Sequence, residues 1–423
     1  MTIRLRSNIR VFKANFPFSG ALASRGMVLT AAYVSTSAVV LIAAITLGKL
    51  ATPAISASVL SVFFISVLSS GLEPGTAKSL LVQGIGSTLS KQQMQALALA
   101  SAVKALVASI PLAVLWRISD QNLHWEVMVW LPLIVLSGFI TTDFRVLLDA
   151  QGRYALAIWL KQSGLIVGFA SLACLVSLGV SLEWALAVST LARLGLTAAG
   201  IGWCFTGASA NINKSAGTVS RAEGWLTQRS WMAFTTVSVL AALSGSLDRV
   251  IALRLLSPAN YNAYFIIYEI VTKLWLLPYL AAPILFAQRA TGRINKKQLV
   301  AVHVVMAFLG LIFATTVLAA AVLAPSLFQF VTGLDRVPII PLGAFTLAIV
   351  LSSFCQLVLV DVQARGLGRS AIVMTLVSLA ASAPIFYTLV YNSGLEGLLW
   401  AWLIKSSLEL IMSVGVLLFA LDR

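Results

Sequence analysis

Apolar residues run along this chain in long blocks, with none of the short hydrophobic–polar alternation that a water-facing surface imposes. The stretches 27–48, 50–72, 162–182, 337–360 and 370–395 hold no charged residue at all. A membrane-spanning helix needs roughly 20 mostly apolar residues, because each adds about 1.5 Å across a hydrocarbon core of about 30 Å. Other stretches of that length carry one or two charges, such as Lys104 within 96–117 and Arg193 within 184–206. The pattern predicts twelve spans: 27–48, 52–72, 96–117, 127–147, 155–180, 184–206, 230–254, 261–287, 299–323, 340–361, 370–391 and 397–420. The uncharged block 298–334 is too long for one helix, so one span plus a re-entrant or periplasmic end is expected there.

Composition removes the competing classes. Of 423 residues, 59% are hydrophobic and 10% charged, and the mean hydropathy is +0.96. Soluble domains carry about 25% charged residues, so a soluble enzyme, a nucleic-acid-binding domain and a disordered tail are all excluded. The fold class is an all-α polytopic membrane protein. Cys174, Cys204 and Cys355 sit in apolar runs without paired spacing, and His124 and His303 lie far apart. Neither a disulfide framework nor a metal cluster is expected.

The net charge of +15 is informative through where the charges fall. With the N-terminus inside, nineteen Lys and Arg residues lie in cytoplasmic segments and four lie outside: Lys49, Arg117, Arg254 and Arg336. Basic residues collect on the cytoplasmic side of membrane proteins, so both termini are expected there. Residues 1–26 read as a basic interfacial segment leading into a retained helix. Trp116, Trp125 and Trp130 cluster around the expected outer loop between spans three and four, where an aromatic belt would sit.

Two parts of the chain look alike. Gly152-Arg153-Tyr154-Ala155 follows span four and Gly368-Arg369-Ser370-Ala371 follows span ten; Ser181-Leu182-Glu183 precedes span six and Gly394-Leu395-Glu396 precedes span twelve. Six spans separate the copies, so both have the same topology, related by an axis along the membrane normal. This divides the chain into an N-lobe, 1–208, and a C-lobe, 209–423, joined by the polar segment 207–229. The expected architecture is two pseudo-symmetric six-helix lobes around a central cavity.

Charge inside a membrane is costly and faces a protein interior or a wet cavity. The basic residues within spans are Lys104, Lys161, Arg193, Arg249, Lys273 and Lys405, set against Asp248, Glu269 and Glu409. Glu269 with Lys273 and Lys405 with Glu409 are four residues apart, on one helix face. Lys161 and Arg249 lie near span ends and are able to snorkel to a headgroup. Lys104, Arg193, Lys273 and Lys405 lie nearer mid-span and are the candidate substrate-binding residues of a cationic lumen, suited to a phosphate or pyrophosphate group. Interhelical ion pairing is the structural alternative for each. Pro111, Pro278, Pro283 and Pro384 fall within spans, where proline kinks a helix. Gly71-Leu-Glu-Pro-Gly75-Thr-Ala-Lys78-Ser79 lacks the spacing of a phosphate loop. No nucleotide-binding domain is present, so energy must come from an ion gradient or from downstream consumption.

Ser244-Gly-Ser-Leu-Asp248-Arg249-Val-Ile, followed by Leu256-Ser-Pro-Ala-Asn-Tyr261-Asn-Ala-Tyr264, resembles the seventh-to-eighth-helix segment of bacterial Wzx-type polysaccharide flippases. These belong to the multidrug/oligosaccharidyl-lipid/polysaccharide (MOP) exporter superfamily. Gly71-Leu-Glu-Pro-Gly75 and Phe144-Arg-Val-Leu-Leu-Asp149-Ala-Gln-Gly-Arg153 are similar in character and place. The resemblance implies two six-helix lobes alternating between inward and outward states in the bacterial inner membrane. It implies carriage of an undecaprenyl-pyrophosphate-linked oligosaccharide for O-antigen, capsule or exopolysaccharide synthesis, alongside a glycan polymerase and chain-length machinery. Asp248 and Arg249 match its Asp-Arg position and, with Glu269 and Glu409, are the candidate coupling or gating residues. The expected coupling ion is H+ or Na+, with no cofactor and no enzymatic activity. A drug or cation antiporter of the same superfamily is the nearest rival, although cationic cargo favours a carboxylate-rich lumen. A polysaccharide polymerase or ligase is the rival from another class, and the short outer loops disfavour it.

Overall fold

The computed structural model describes residues 20–71, 91–119, 128–150, 153–208, 243–275, 296–364 and 368–421, with a few isolated positions between 236 and 285. These residues form twelve α-helices and no strands. The first six are α1 (Gly20–Leu50), α2 (Pro53–Gly71), α3 (Lys91–Ser119), α4 (Leu131–Ala150), α5 (Tyr154–Ser177) and α6 (Leu182–Ala208). The second six are α7 (Leu247–Leu255), α8 (Pro258–Val271), α9 (Lys296–Leu323), α10 (Pro325–Thr332), α11 (Ile339–Ala364) and α12 (Gly368–Leu421). A short 3-10 turn, Thr272–Trp275, extends α8.

Seven helices are long and apolar enough to cross a membrane, and α1 and α2 contribute two further apolar stretches. Apolar side chains surround these helices instead of forming one stripe, as expected of a membrane span. On α3 the outward residues include Leu99, Val103, Leu106, Val107, Ile110 and Val114, a face suited to lipid and not to water. The block 298–334 resolves into α9 and the short α10, the extra piece anticipated from its length. Pro111 lies inside α3 and Pro384 inside α12, whereas Pro278, Pro283 and the segment 209–235 lie outside the described residues.

The expected eleventh and twelfth spans form one run of 54 residues, bent where Gly394 takes φ 55° and ψ −131°. Only glycine adopts that conformation easily. The matching connection between α5 and α6 turns on Gly179, at φ 83°. Both connections thus turn on a positive-φ glycine, although the repeat aligns Gly394 with Ser181, two residues beyond Gly179.

Packing follows the two halves. Helices α1 to α6 pack mainly on one another, as do α7 to α12, and the halves meet where α8 touches α1 and α2 and α7 touches α3. The main core runs through both, from Phe63 and Phe169 to Tyr264, Phe345 and Trp402. Trp116 belongs to this core: it is 2% exposed and donates its indole N–H to the Ser61 hydroxyl at 3.1 Å. It is thus no part of an interfacial belt, because Ser61 on α2 gives its polar tip a partner inside the protein. Trp130 is half-buried against the core, and Trp125 lies outside the described residues.

Candidate functional site

The richest polar site lies where α7, α8 and α12 converge against α2. Ser257 begins α8 by accepting from the Asn260 N–H, with Pro258 at the first helical position, a favoured pairing of cap and proline. This tight start brings Tyr264 back toward α7. Its hydroxyl donates to Asp248 Oδ2 and accepts at 2.9 Å from the Trp402 indole N–H on α12. Asp248 is fully buried, and Tyr264 and Trp402 are equally enclosed. Three distant segments are thereby tied through one phenol oxygen.

Arg249, next in sequence, is also buried. Its Nε stands 3.8 Å from Asp248 Oδ1, and its terminal amine donates to the Gly245 carbonyl at 2.8 Å. The guanidinium lies between two rings, 4.4 Å from the Phe64 centroid and 4.3 Å from that of Tyr268. Arginine stacks well on aromatic faces, being planar and weakly hydrated. Tyr268 belongs to an aromatic group with Tyr264, Trp275, Phe345 and Trp402 at centroid distances of 5.8–6.3 Å.

Both ion pairs expected from the four-residue spacing are present. Lys405, 2% exposed, places Nζ 3.2 Å from Glu409 Oε1 and 4.5 Å over the Trp402 ring. Glu409 also accepts from the Ser378 hydroxyl at 2.7 Å. Lys273, in the 3-10 turn, pairs with Glu269 on the last turn of α8. Asp248, Arg249 and Lys405 share one neighbourhood, Lys405 being within electrostatic reach of Asp248.

The other two candidate lumen residues lie elsewhere. Arg193 on α6 is buried beside a small, partly open cleft between α2, α4, α5 and α6, which Ser189 and Thr190 also line. Gly164 and Gly168 of α5 face it: a Cβ on either would rest in ordinary contact, 3.4–3.5 Å from the Arg193 side chain. Lys104 on α3 is half-buried within electrostatic reach of Asp143 on α4. Asp143 in turn accepts from the Ser101 hydroxyl at 2.6 Å.

Sequence reasoning missed two acids. Asp143 and Asp361 are 2% and 3% exposed within α4 and α11, and both fall inside the expected spans. Their presence was visible in the sequence; counting acids span by span would have found them. Among the described residues the buried charged side chains are four acids, Asp143, Asp248, Glu269 and Asp361, and three bases, Arg193, Arg249 and Lys405. Among the described residues no group of three or more His, Cys, Asp or Glu side chains is placed to hold a metal ion.

No protein-family description matches this sequence, and no curated protein does at a significant level. Solved structures match over nearly the whole chain. A eukaryotic MATE transporter superposes with a TM-score of 0.66 at 15% identity, covering 96% of each chain. An outward-facing multidrug resistance MATE transporter of the MOP superfamily gives 0.62 at 15% identity, covering 95% of each. A MOP superfamily transporter from Pyrococcus furiosus, reported to have a binding pocket of reversed polarity, gives 0.61 at 16%, covering 95% of this chain and 94% of that one. The chain thus has the fold of these transporters: twelve transmembrane helices in two lobes.

Proposed function

We propose that this protein is a membrane transporter that works by alternating access between its two six-helix halves. The observation that carries this is the match of about 95% of the chain, end to end, with transporters of the MOP superfamily. For its cargo we propose a polyprenyl-pyrophosphate-linked oligosaccharide. Support comes from the resemblance of the Asp248–Arg249 segment to polysaccharide flippases and from Arg193, buried beside a cleft of the N-terminal half. In this reading the pyrophosphate and first sugars meet Arg193, Lys104, Lys273 and Lys405 while the lipid tail stays in the bilayer. Asp248, Arg249, Glu269 and Glu409 serve coupling or gating, and the drive is an H+ or Na+ gradient or consumption of the product. The protein sits in the bacterial inner membrane with both termini cytoplasmic and delivers to a glycan polymerase and its chain-length machinery.

A drug or cation antiporter is the second reading, and the comparisons favour it over the first. Two neighbours are named as multidrug resistance MATE transporters. The geometry adds to it, because Lys405 and Lys273 are paired with carboxylates and, among the described residues, buried acids outnumber buried bases four to three. The Pyrococcus furiosus protein, whose reversed pocket polarity is reported to suggest a different function, indicates that pocket polarity varies on this fold.

Deleting the gene in a host that tolerates its loss separates the two. Build-up of single polyprenyl-linked repeat units, measured by mass spectrometry, with loss of surface polymer is the outcome expected for the flippase. Intact polymer with raised sensitivity to cationic drugs would establish the antiporter instead.

A further inference from the structure

We propose that Arg249, clasped between Phe64 and Tyr268, is the latch that holds the two halves together at the end of the molecule carrying the α1–α2 and α7–α8 turns. The proposal rests on the alternating-access reading. Phe64 belongs to α2, in the N-terminal half, whereas Arg249 and Tyr268 belong to α7 and α8, in the C-terminal half. One guanidinium thus reaches across the seam, within stacking distance of a ring from each half.

Other contacts across the seam fall on the same end. Asn262 Nδ2 on α8 donates to the Pro53 carbonyl at the start of α2, at 3.4 Å. Lys49, at the end of α1, stands 3.6 Å over the Phe330 ring of α10. Phe63 meets Phe265 edge-on at 5.9 Å. Phe330 apart, these residues lie at, or within about three helical turns of, Ala51–Thr52 and Leu256–Ser257, the two turns that join the helices.

The clasp suits a contact that has to be broken and remade. The charge of Arg249 is balanced from its own half by Asp248, whose second oxygen is held by Tyr264 and through it by Trp402. Parting α2 from α8 removes one aromatic face and leaves the ion pair and the Gly245 hydrogen bond in place. Had the partner across the seam been a carboxylate, opening would strand a buried charge on each side, at a high cost. A ring carries no such charge, so the same contact closes firmly and opens without leaving an orphaned ion.

The latch is testable without knowing the cargo. In the full-length protein, Cys174 and Cys204 become Ser, Asn262→Cys reports the seam, and the native Cys355, buried away from it on α11, reports unfolding. Reaction of both thiols with a polar maleimide is followed in right-side-out and in inverted membrane vesicles, whichever face the turns occupy. Arg249→Lys, which keeps the charge but not the plane, and Phe64→Leu, which keeps the bulk but not the ring, should each raise labelling at position 262 at least tenfold with Cys355 unchanged. Labelling at 262 equal to the parent in both variants would overturn the latch. So would an equal rise at Cys355, which would mean that the fold had loosened as a whole. The deletion experiment judges the transporter reading separately, because this labelling needs no cargo.

Discussion

At the scale of single residues, the Tyr264 hydroxyl holds the most consequential position. It sits between an indole donor and a carboxylate, both buried, so its loss leaves two polar groups without that partner. Each such group costs about 1–3 kcal/mol. Tyr264→Phe should therefore lower the thermal midpoint of the detergent-purified protein by several degrees, whereas Tyr387→Phe, at an exposed site on α12, should leave it unchanged. Lys405 and Glu409 allow a cleaner separation of structure from transport. Glu409→Gln strands a buried ammonium, at a cost of about 3–5 kcal/mol, while Lys405→Met with Glu409→Leu removes both charges and should restore most of the stability. If the double variant is stable and still transports, the pair is structural; if it is stable and inactive, the pair serves the cargo or the coupling ion. The spacing of these pairs was legible in the sequence because a helix brings residues four apart together. Asp143 beneath Ser101, and Arg249 between Phe64 and Tyr268, were not, because such contacts join residues from different helices. Arg249 was read as able to snorkel to a headgroup. In the structure it is 8% exposed, and two aromatic faces take the place of the headgroup.

At the scale of elements, two glycines shape the bend between the last two spans. Gly394 takes a conformation that strains any residue with a Cβ, and a Cβ on Gly397 would lie 1.9 Å from the Leu389 carbonyl oxygen. Gly394→Ala should cost about 1–3 kcal/mol through backbone strain. Gly397→Ala should cost at least as much, because the obstacle is backbone and cannot turn aside. Thermal unfolding in detergent measures both, with Gly415→Ala, which has open space around it, as the control expected to be neutral. Gly394-Leu395-Glu396 stood out in the sequence as the counterpart of the α5–α6 connection. Its positive φ did not, since glycine serves equally for close packing. Hydrophobicity alone sets span eight from 261, whereas the Ser257 cap and Pro258 start α8 three residues earlier. The separation of α10 from α9 was legible only as excess length.

At the scale of the whole molecule, hydrophobic block length foretold the architecture, because a bilayer fixes how long a span must be. Repeated short motifs foretold the two halves. Cargo is a different matter: it depends on which buried charges remain unneutralised, and neutralisation is a property of the packed bundle. Four bases at mid-span suggested one cationic lumen, yet two are tied to carboxylates on their own helices and Lys104 lies near Asp143. Arg193 lies on α6, where Gly164 and Gly168 of α5 face its side chain. Gly168→Leu should crowd the Arg193 side chain and reduce transport, with expression level and monodispersity in detergent showing that folding survives. Unaltered transport would place the cargo path elsewhere.

The two-residue turns, Ala51–Thr52 and Leu256–Ser257, have a consequence outside transport. Among the described residues, the face that carries them offers few protruding segments. An antibody raised against the purified protein would find little in either turn to grip. The same economy guides labelling: an inserted epitope has its best prospects at 333–338, where the chain leaves regular structure between α10 and α11. Placed in either two-residue turn, the insert would push apart helices whose contact closes that end of the molecule.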